Sequence, residues 1–101
     1  MYWKYPIAKW IAPKKDGLYI VKHQAKVLHV GIAFEKETGK NLKQQIMYHF
    51  RNTNTEIQRM YTSPELCSVK YIPISNYKEA VIERTKLNEK YKKRLRYLHV
   101  N

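Results

Sequence analysis

Four short apolar runs, "LYIVKH", "VLHVGIAF", "IMYHF" and "CSVKYIPI", are separated by polar connections, and a longer stretch with a different period follows them. Runs of five to eight residues rich in Val, Ile, Tyr and Phe predict strands. Asp16-Gly17 is a turn signal that opens the first run, and "QAK" can fold it back on the second as a hairpin. The polar "EKETGKNLKQQ" reads as a longer connection into "IMYHF", so the first three runs predict an antiparallel meander. "RNTNTEIQRMYTSPEL" is polar, with one helical or irregular turn, and "CSVKYIPI" is a fourth strand ending near Pro73.

After Pro73 the apolar period lengthens. Ala80, Val81, Leu87, Tyr91, Leu95 and Leu98 recur at three- and four-residue steps, interrupted by Arg84 and Asn88. Asn76 is placed to cap this helix, with Glu79 at capping-box spacing. Glu79 and Glu83 lie early and Lys90, Lys92, Lys93, Arg94 and Arg96 late, the favourable order for the helix dipole. The expected architecture is α+β: a small antiparallel sheet of about four strands with a C-terminal amphipathic helix. It forms a single domain over 1–101, with a basic aromatic arm (1–15), the sheet (16–74) and the helix (76–98).

In the second strand, period-two alternation puts Leu28, Val30, Ile32 and Phe34 on one face and Val27, His29, Gly31 and Ala33 on the other. His29 is thus off the bulky apolar face, beside two small residues where another group can approach the imidazole. His49, one run later, would lie on a neighbouring strand. Both are candidates for proton transfer, although a strand histidine more often serves structure.

Charge changes the picture more than length does. The 101 residues carry 20 Lys and Arg against 8 Asp and Glu, a formal +12, which attracts polyanions: nucleic acid or an anionic membrane surface. The lone cysteine, Cys67, excludes an intrachain disulfide and a Cys-rich zinc site, and it reads as a small buried hydrophobe in a cytoplasmic protein. No metal site and no cofactor are expected. The arm "MYWKYPIAKWIAPKKD" is never apolar for long enough to be a signal or a span, and it is expected to pack over the core.

The segment "KKDGLYIVKHQAKVLHVGIAFEKETGKNLKQQIMYHF" resembles the opening of the permuted papain-like superfamily, which includes NlpC/P60 cysteine peptidases and lecithin:retinol acyltransferase-like enzymes. Asp16-Gly17, His29-Val30-Gly31-Ile32 and Tyr48-His49-Phe50 occupy the places of that pattern. A weaker likeness continues through "CSVKYIPI" and the terminal helix. The resemblance implies thiol hydrolase or acyltransferase ancestry, with His29 as base and His49 as an orienting group. "RYLHVN" ends at Asn101, where that family places its nucleophilic cysteine. The resemblance therefore implies an inactive domain unless a cysteine is supplied beyond residue 101. The position of Cys67 does not match that nucleophile.

The alternative is a small basic, non-catalytic protein that binds nucleic acid or a nucleic-acid-handling partner. Its electrostatic footprint would be Arg84, Lys86, Lys90, Lys92, Lys93, Arg94 and Arg96, beside tyrosines of the sheet. An incomplete sheet or groove would also leave apolar surface for a second copy to cover, as a homodimer.

Overall fold

The computed structural model describes residues 1–5, 7–51 and 64–100, with the side chains of 49–51 and 92–100 outside the description. In chain order the elements are β1 (Trp3–Lys4), α1 (Ile7–Ile11), β2 (Gly17–His23), β3 (Lys26–Ala33), α2 (Glu35–Thr38), α3 (Leu42–Arg51), a 3-10 turn (Pro64–Leu66), β4 (Cys67–Pro73) and α4 (Tyr77–Val100). The architecture is α+β, a four-stranded antiparallel sheet with a C-terminal helix.

The strand order is β1-β4-β2-β3, so the sheet is not the meander expected from the apolar runs. The third run, "IMYHF", lies in α3 rather than in a strand. Its helical start is set by a reciprocal cap: Gln44 N–H donates to Asn41 Oδ1 at 3.0 Å and Asn41 N–H donates to Gln44 Oε1 at 2.9 Å. Two amide donors at the helix start are satisfied by this exchange, which a strand would leave unpaired. The place of that missing strand is taken by β1 from the arm, with Trp3 opposite Val69 and Lys4 opposite Ser68.

Strands β2 and β3 form the expected hairpin around Gln24, whose φ of 57° is the left-handed turn conformation. Val21 pairs with His29 but Lys22 pairs with Val27, so Leu28 is an extra residue on β3. This bulge breaks the expected alternation. Leu28 packs with Tyr19 and Val21 on one face, whereas Val27 joins Ile20 and Val30 on the other.

Both faces of the sheet are covered. On one, Tyr19, Val21, Ala33, Cys67 and Val69 pack against Ala8 and Ala12 of the arm and Leu42 and Ile46 of α3. On the other, Leu18, Ile20, Val27, Val30 and Phe34 meet Ala80, Leu87 and Tyr91 of α4. Burial of these aliphatic and aromatic side chains supplies the main stabilisation, each full burial being worth about 1.5–3 kcal/mol. Gly17 lets β4 approach closely, because a Cβ there would collide with the Ile72 carbonyl and the Pro73 backbone. The arm docks through Ala8 and through Tyr71 Oη, which donates to the Ala8 carbonyl at 2.6 Å, but Trp3 and Trp10 remain outside the core. Among the described residues no helix is long and apolar enough to cross a membrane.

Candidate nucleic-acid interface

Tyr19 on β2 and His29 on β3 project from the α3-covered side of the hairpin. Tyr19 Oη lies 3.3 Å from His29 Nε2, with ring centroids 5.6 Å apart and planes inclined by 49°. The phenol donates to Nε2 when that nitrogen is unprotonated and accepts from it when it carries the proton. The pairing register explains why they meet: Tyr19 is directly opposite Gly31, and the residue two before Gly31 is His29. A Cβ at position 31 would fall inside the Tyr19 phenol. Glycine there is what allows the ring to lie across β3 and reach the imidazole.

Two further residues act on this pair. Gln45, on α3, makes a side-chain hydrogen bond with Tyr19, and the positive charge of Arg84, on α4, acts on the same hydroxyl. Burial pushes the Tyr19 hydroxyl well above the ordinary phenol range, and the Gln45 hydrogen bond and Arg84 charge only partly offset that rise. Tyr19 is therefore a neutral hydrogen-bonding phenol across the physiological range. Arg84 is half-buried on α4, four residues after Ala80 and three before Leu87, on the stripe that faces the sheet. The interruption of the apolar period at Arg84 thus puts a charged, half-buried residue on that stripe, outside the core clusters.

The other residues singled out from the sequence are dispersed. His49 lies on α3, not on a strand beside His29, and its side chain is outside the described residues. Lys86 and Lys90 are exposed on α4, whereas Lys92, Lys93, Arg94 and Arg96 lie on its described backbone with side chains outside the description. The tyrosines of β2 and β4 do not offer an open stacking surface, since Tyr19 is buried in the core and Tyr71 is tied to the arm. The more exposed tyrosines, Tyr48 and Tyr77, are on helices. Cys67 is buried at the start of β4, in register with His23, and burial pushes its thiol up to about 11. A thiol so placed stays protonated at neutral pH and is no nucleophile.

Sequence reasoning missed Tyr19 and Gln45. The signal for Tyr19 was present: a glycine two residues after His29 faces it once the hairpin is drawn in register. Gln45 carries no such signal, because its helix was read as a loop and a strand.

No family model matches the chain, and no curated protein matches it. Solved structures do. The GIY-YIG N-terminal endonuclease domain of UvrC from Thermotoga maritima, as a tyrosine point mutant bound to its catalytic divalent cation, is 24% identical with a TM-score of 0.66, covering 89% of this chain and 93% of that one. The same domain bound to magnesium is 25% identical, with a TM-score of 0.63 and coverage of 85% and 88%. An asparagine-to-alanine mutant gives 22%, 0.66, 85% and 87%.

These likenesses overturn the papain-like resemblance, and with it the reading of an inactive thiol hydrolase or acyltransferase. The strand, histidine and small-residue pattern that carried it is generic to a β-hairpin. Its third strand is a helix here, and the described cysteine is buried and protonated. Instead, the chain has the fold of a GIY-YIG endonuclease domain.

Proposed function

We propose that the chain binds DNA, presenting the α4 side of the Tyr19–His29 hairpin to the phosphodiester backbone. The observation that carries this reading is the conjunction of a formal +12 with a basic helix packed on a nuclease-type sheet. Lys78, Arg84, Lys86 and Lys90 are its described cations, and the three lysines are exposed. The fold's name spells Gly-Ile-Tyr and Tyr-Ile-Gly; Gly17-Leu18-Tyr19 and His29-Val30-Gly31 stand on adjacent paired strands here, with each glycine required by a close approach. This correspondence supports the reading. Residues 1–101 act in it as one unit, since the arm supplies both a strand and core side chains.

The solved domain is described as bound to its catalytic divalent cation. The groups gathered at Tyr19 here are a phenol, an imidazole and a carboxamide. Among the described residues, no group of three or more His, Cys, Asp or Glu is placed to hold a metal. This donor set does not fit a divalent cation, which takes oxygen-rich anionic ligands.

The test is fluorescence anisotropy of a labelled duplex titrated with the full chain at several salt concentrations. Contacts to about four phosphates give a log–log slope of about −3.6. Saturable binding with such a slope is expected; no binding at low salt, or salt-insensitive binding, would overturn the proposal. A second reading, phosphodiester cleavage, is favoured by the hydrogen-bonded Tyr19–His29 pair on this fold. Conversion of supercoiled plasmid to nicked or linear product, lost in Tyr19→Phe, would support it.

A further inference from the structure

We propose that Lys22, Lys70 and Lys90, gathered around the rings of Tyr2 and Tyr91, form a phosphate-binding patch that extends the DNA contact of α4 to β2, β4 and the N-terminal arm. The proposal rests on the DNA-binding reading above and says where, beyond α4, the backbone is held.

Pairing and packing bring these residues together. Ile20 lies opposite Lys70, and Lys22 follows Ile20 by two, so both lysines share the face on which Ile20 meets α4. Trp3 lies opposite Val69 and Lys4 opposite Ser68, which sets Tyr2 beside Lys70. Tyr2 and Tyr91 both pack against the cluster of Ile20, Val27 and Val30, so the arm and α4 meet there. Lys22 Nζ stands 4.0 Å from the centre of the Tyr2 ring, and Lys70 Nζ stands 5.9 Å from the same ring. Lys90 Nζ lies 5.5 Å from the centre of the Tyr91 ring.

The patch is open. Among the described residues none of the three ammoniums is in a hydrogen bond or ion pair, with Glu65, Glu83 and Glu89 on neighbouring elements included. No buried side-chain nitrogen or oxygen among the described residues lacks a hydrogen-bond partner, so the Lys22 and Lys70 ammoniums reach solvent although their residues are half-buried. An aromatic face attracts an ammonium on one side and leaves N–H donors pointing away from the ring.

Chemistry then selects the ligand. Two ammoniums held at one ring, with a third beside it, repel one another and are relieved by successive phosphates of a nucleic-acid strand. The aliphatic residues beneath them, Ile20, Val27 and Val30, are buried, so the patch offers charge rather than an apolar surface for acyl chains. Tyr2 is a positioning residue in this arrangement: its ring holds Lys22 and Lys70 in place.

The experiment measures duplex-DNA affinity of the full chain by fluorescence anisotropy across salt concentrations, for the wild type, Lys22→Gln/Lys70→Gln, Tyr2→Ala, Tyr2→Phe and a control, Lys40→Gln/Lys43→Gln. The control removes the same charge beside α3, where Lys40 Nζ lies 4.5 Å from the Tyr48 ring. Circular dichroism checks the folding of each variant, and sedimentation with phosphatidylserine vesicles runs in parallel.

Lys22→Gln/Lys70→Gln should weaken DNA binding about tenfold or more and make the salt slope shallower by about 1.8, the loss of two phosphate contacts. The control should stay within about threefold of the wild type with its slope unchanged. Tyr2→Ala should weaken binding about threefold with no change in charge, and Tyr2→Phe, which keeps the ring, should recover most of that loss. Equal losses in the two lysine pairs, wild-type affinity in Lys22→Gln/Lys70→Gln or in a folded Tyr2→Ala, or a defect confined to vesicles would overturn the patch while leaving the DNA-binding reading intact. Absence of DNA binding by the wild type would overturn both.

Discussion

Gly31→Ala offers the sharpest structural test of the hairpin geometry. The substituted Cβ would fall among the Cζ, Oη and Cε1 atoms of Tyr19, and that ring is only 1% exposed. It cannot swing outward freely, because Tyr19 shares its cluster with Val21, Val69, Leu42 and Ile46. Relieving the overlap requires a shift in a close-packed interior, which costs about 1–3 kcal/mol. The shift also breaks the 3.3 Å contact with His29, worth about 0.5–1.5 kcal/mol as a part-buried hydrogen bond. Together the loss is about 1.5–4.5 kcal/mol, and Gly31→Val should exceed it. Urea unfolding followed by far-ultraviolet circular dichroism measures it as a lowered midpoint at unchanged slope. An unfolding free energy within about 0.5 kcal/mol of the wild type would mean that Tyr19 does not lie over Gly31, and the reasoning would fail.

Three other outcomes follow from the same structure. The Cys67 thiol should resist Ellman's reagent at neutral pH until urea is added; rapid labelling of the native protein would contradict its burial. Because burial raises the folded thiol to about 11, above its unfolded value near 9, its contribution to stability is complete below about pH 9 and is lost as pH rises through about 11; Cys67→Ala should remove that alkaline component from urea midpoints measured between pH 8 and 11. Asn76→Ala should destabilise the protein by about 1 kcal/mol in thermal unfolding, since Asn76 Oδ1 accepts the Glu79 N–H at 3.0 Å at the start of α4, and Asn76→Asp should be nearly neutral.

How much was legible in the sequence depended on whether the signal was local. Strands β2, β3 and β4 and the cap and period of α4 all follow from short-range pattern, and the α+β class follows from them. Helix α3 was hidden because "IMYHF" is a five-residue apolar run, for which strand and buried helix look alike. The discriminating signal was Asn41 with Gln44 three residues on, a capping pair immediately before the run. The edge position of β1 was beyond local pattern, since two residues of an arm pair with a strand more than sixty positions later. The bulge at Leu28 likewise depends on how the Gln24 turn closes, and it reversed which residues share a face with Leu28.

At the site, His29 was legible as an imidazole on the small-residue side of its strand. Its partner was not, because Tyr19 and His29 meet only through the β2–β3 register. Arg84 was visible as an interruption of an apolar period, but that break acquires a role only once α4 is laid on the sheet. The papain-like resemblance failed for the same reason. A histidine on a glycine-containing strand is compatible with several folds, and the strand order distinguishes them.

The most direct test of the central claim is an amide and side-chain nuclear magnetic resonance titration of the isotopically labelled full chain with a short DNA duplex in EDTA. Saturable shifts should concentrate on α4, at Arg84 and the exposed Lys78, Lys86 and Lys90. Shifts confined to the exposed Trp3 and Trp10 of the arm, or none at all, would contradict the account.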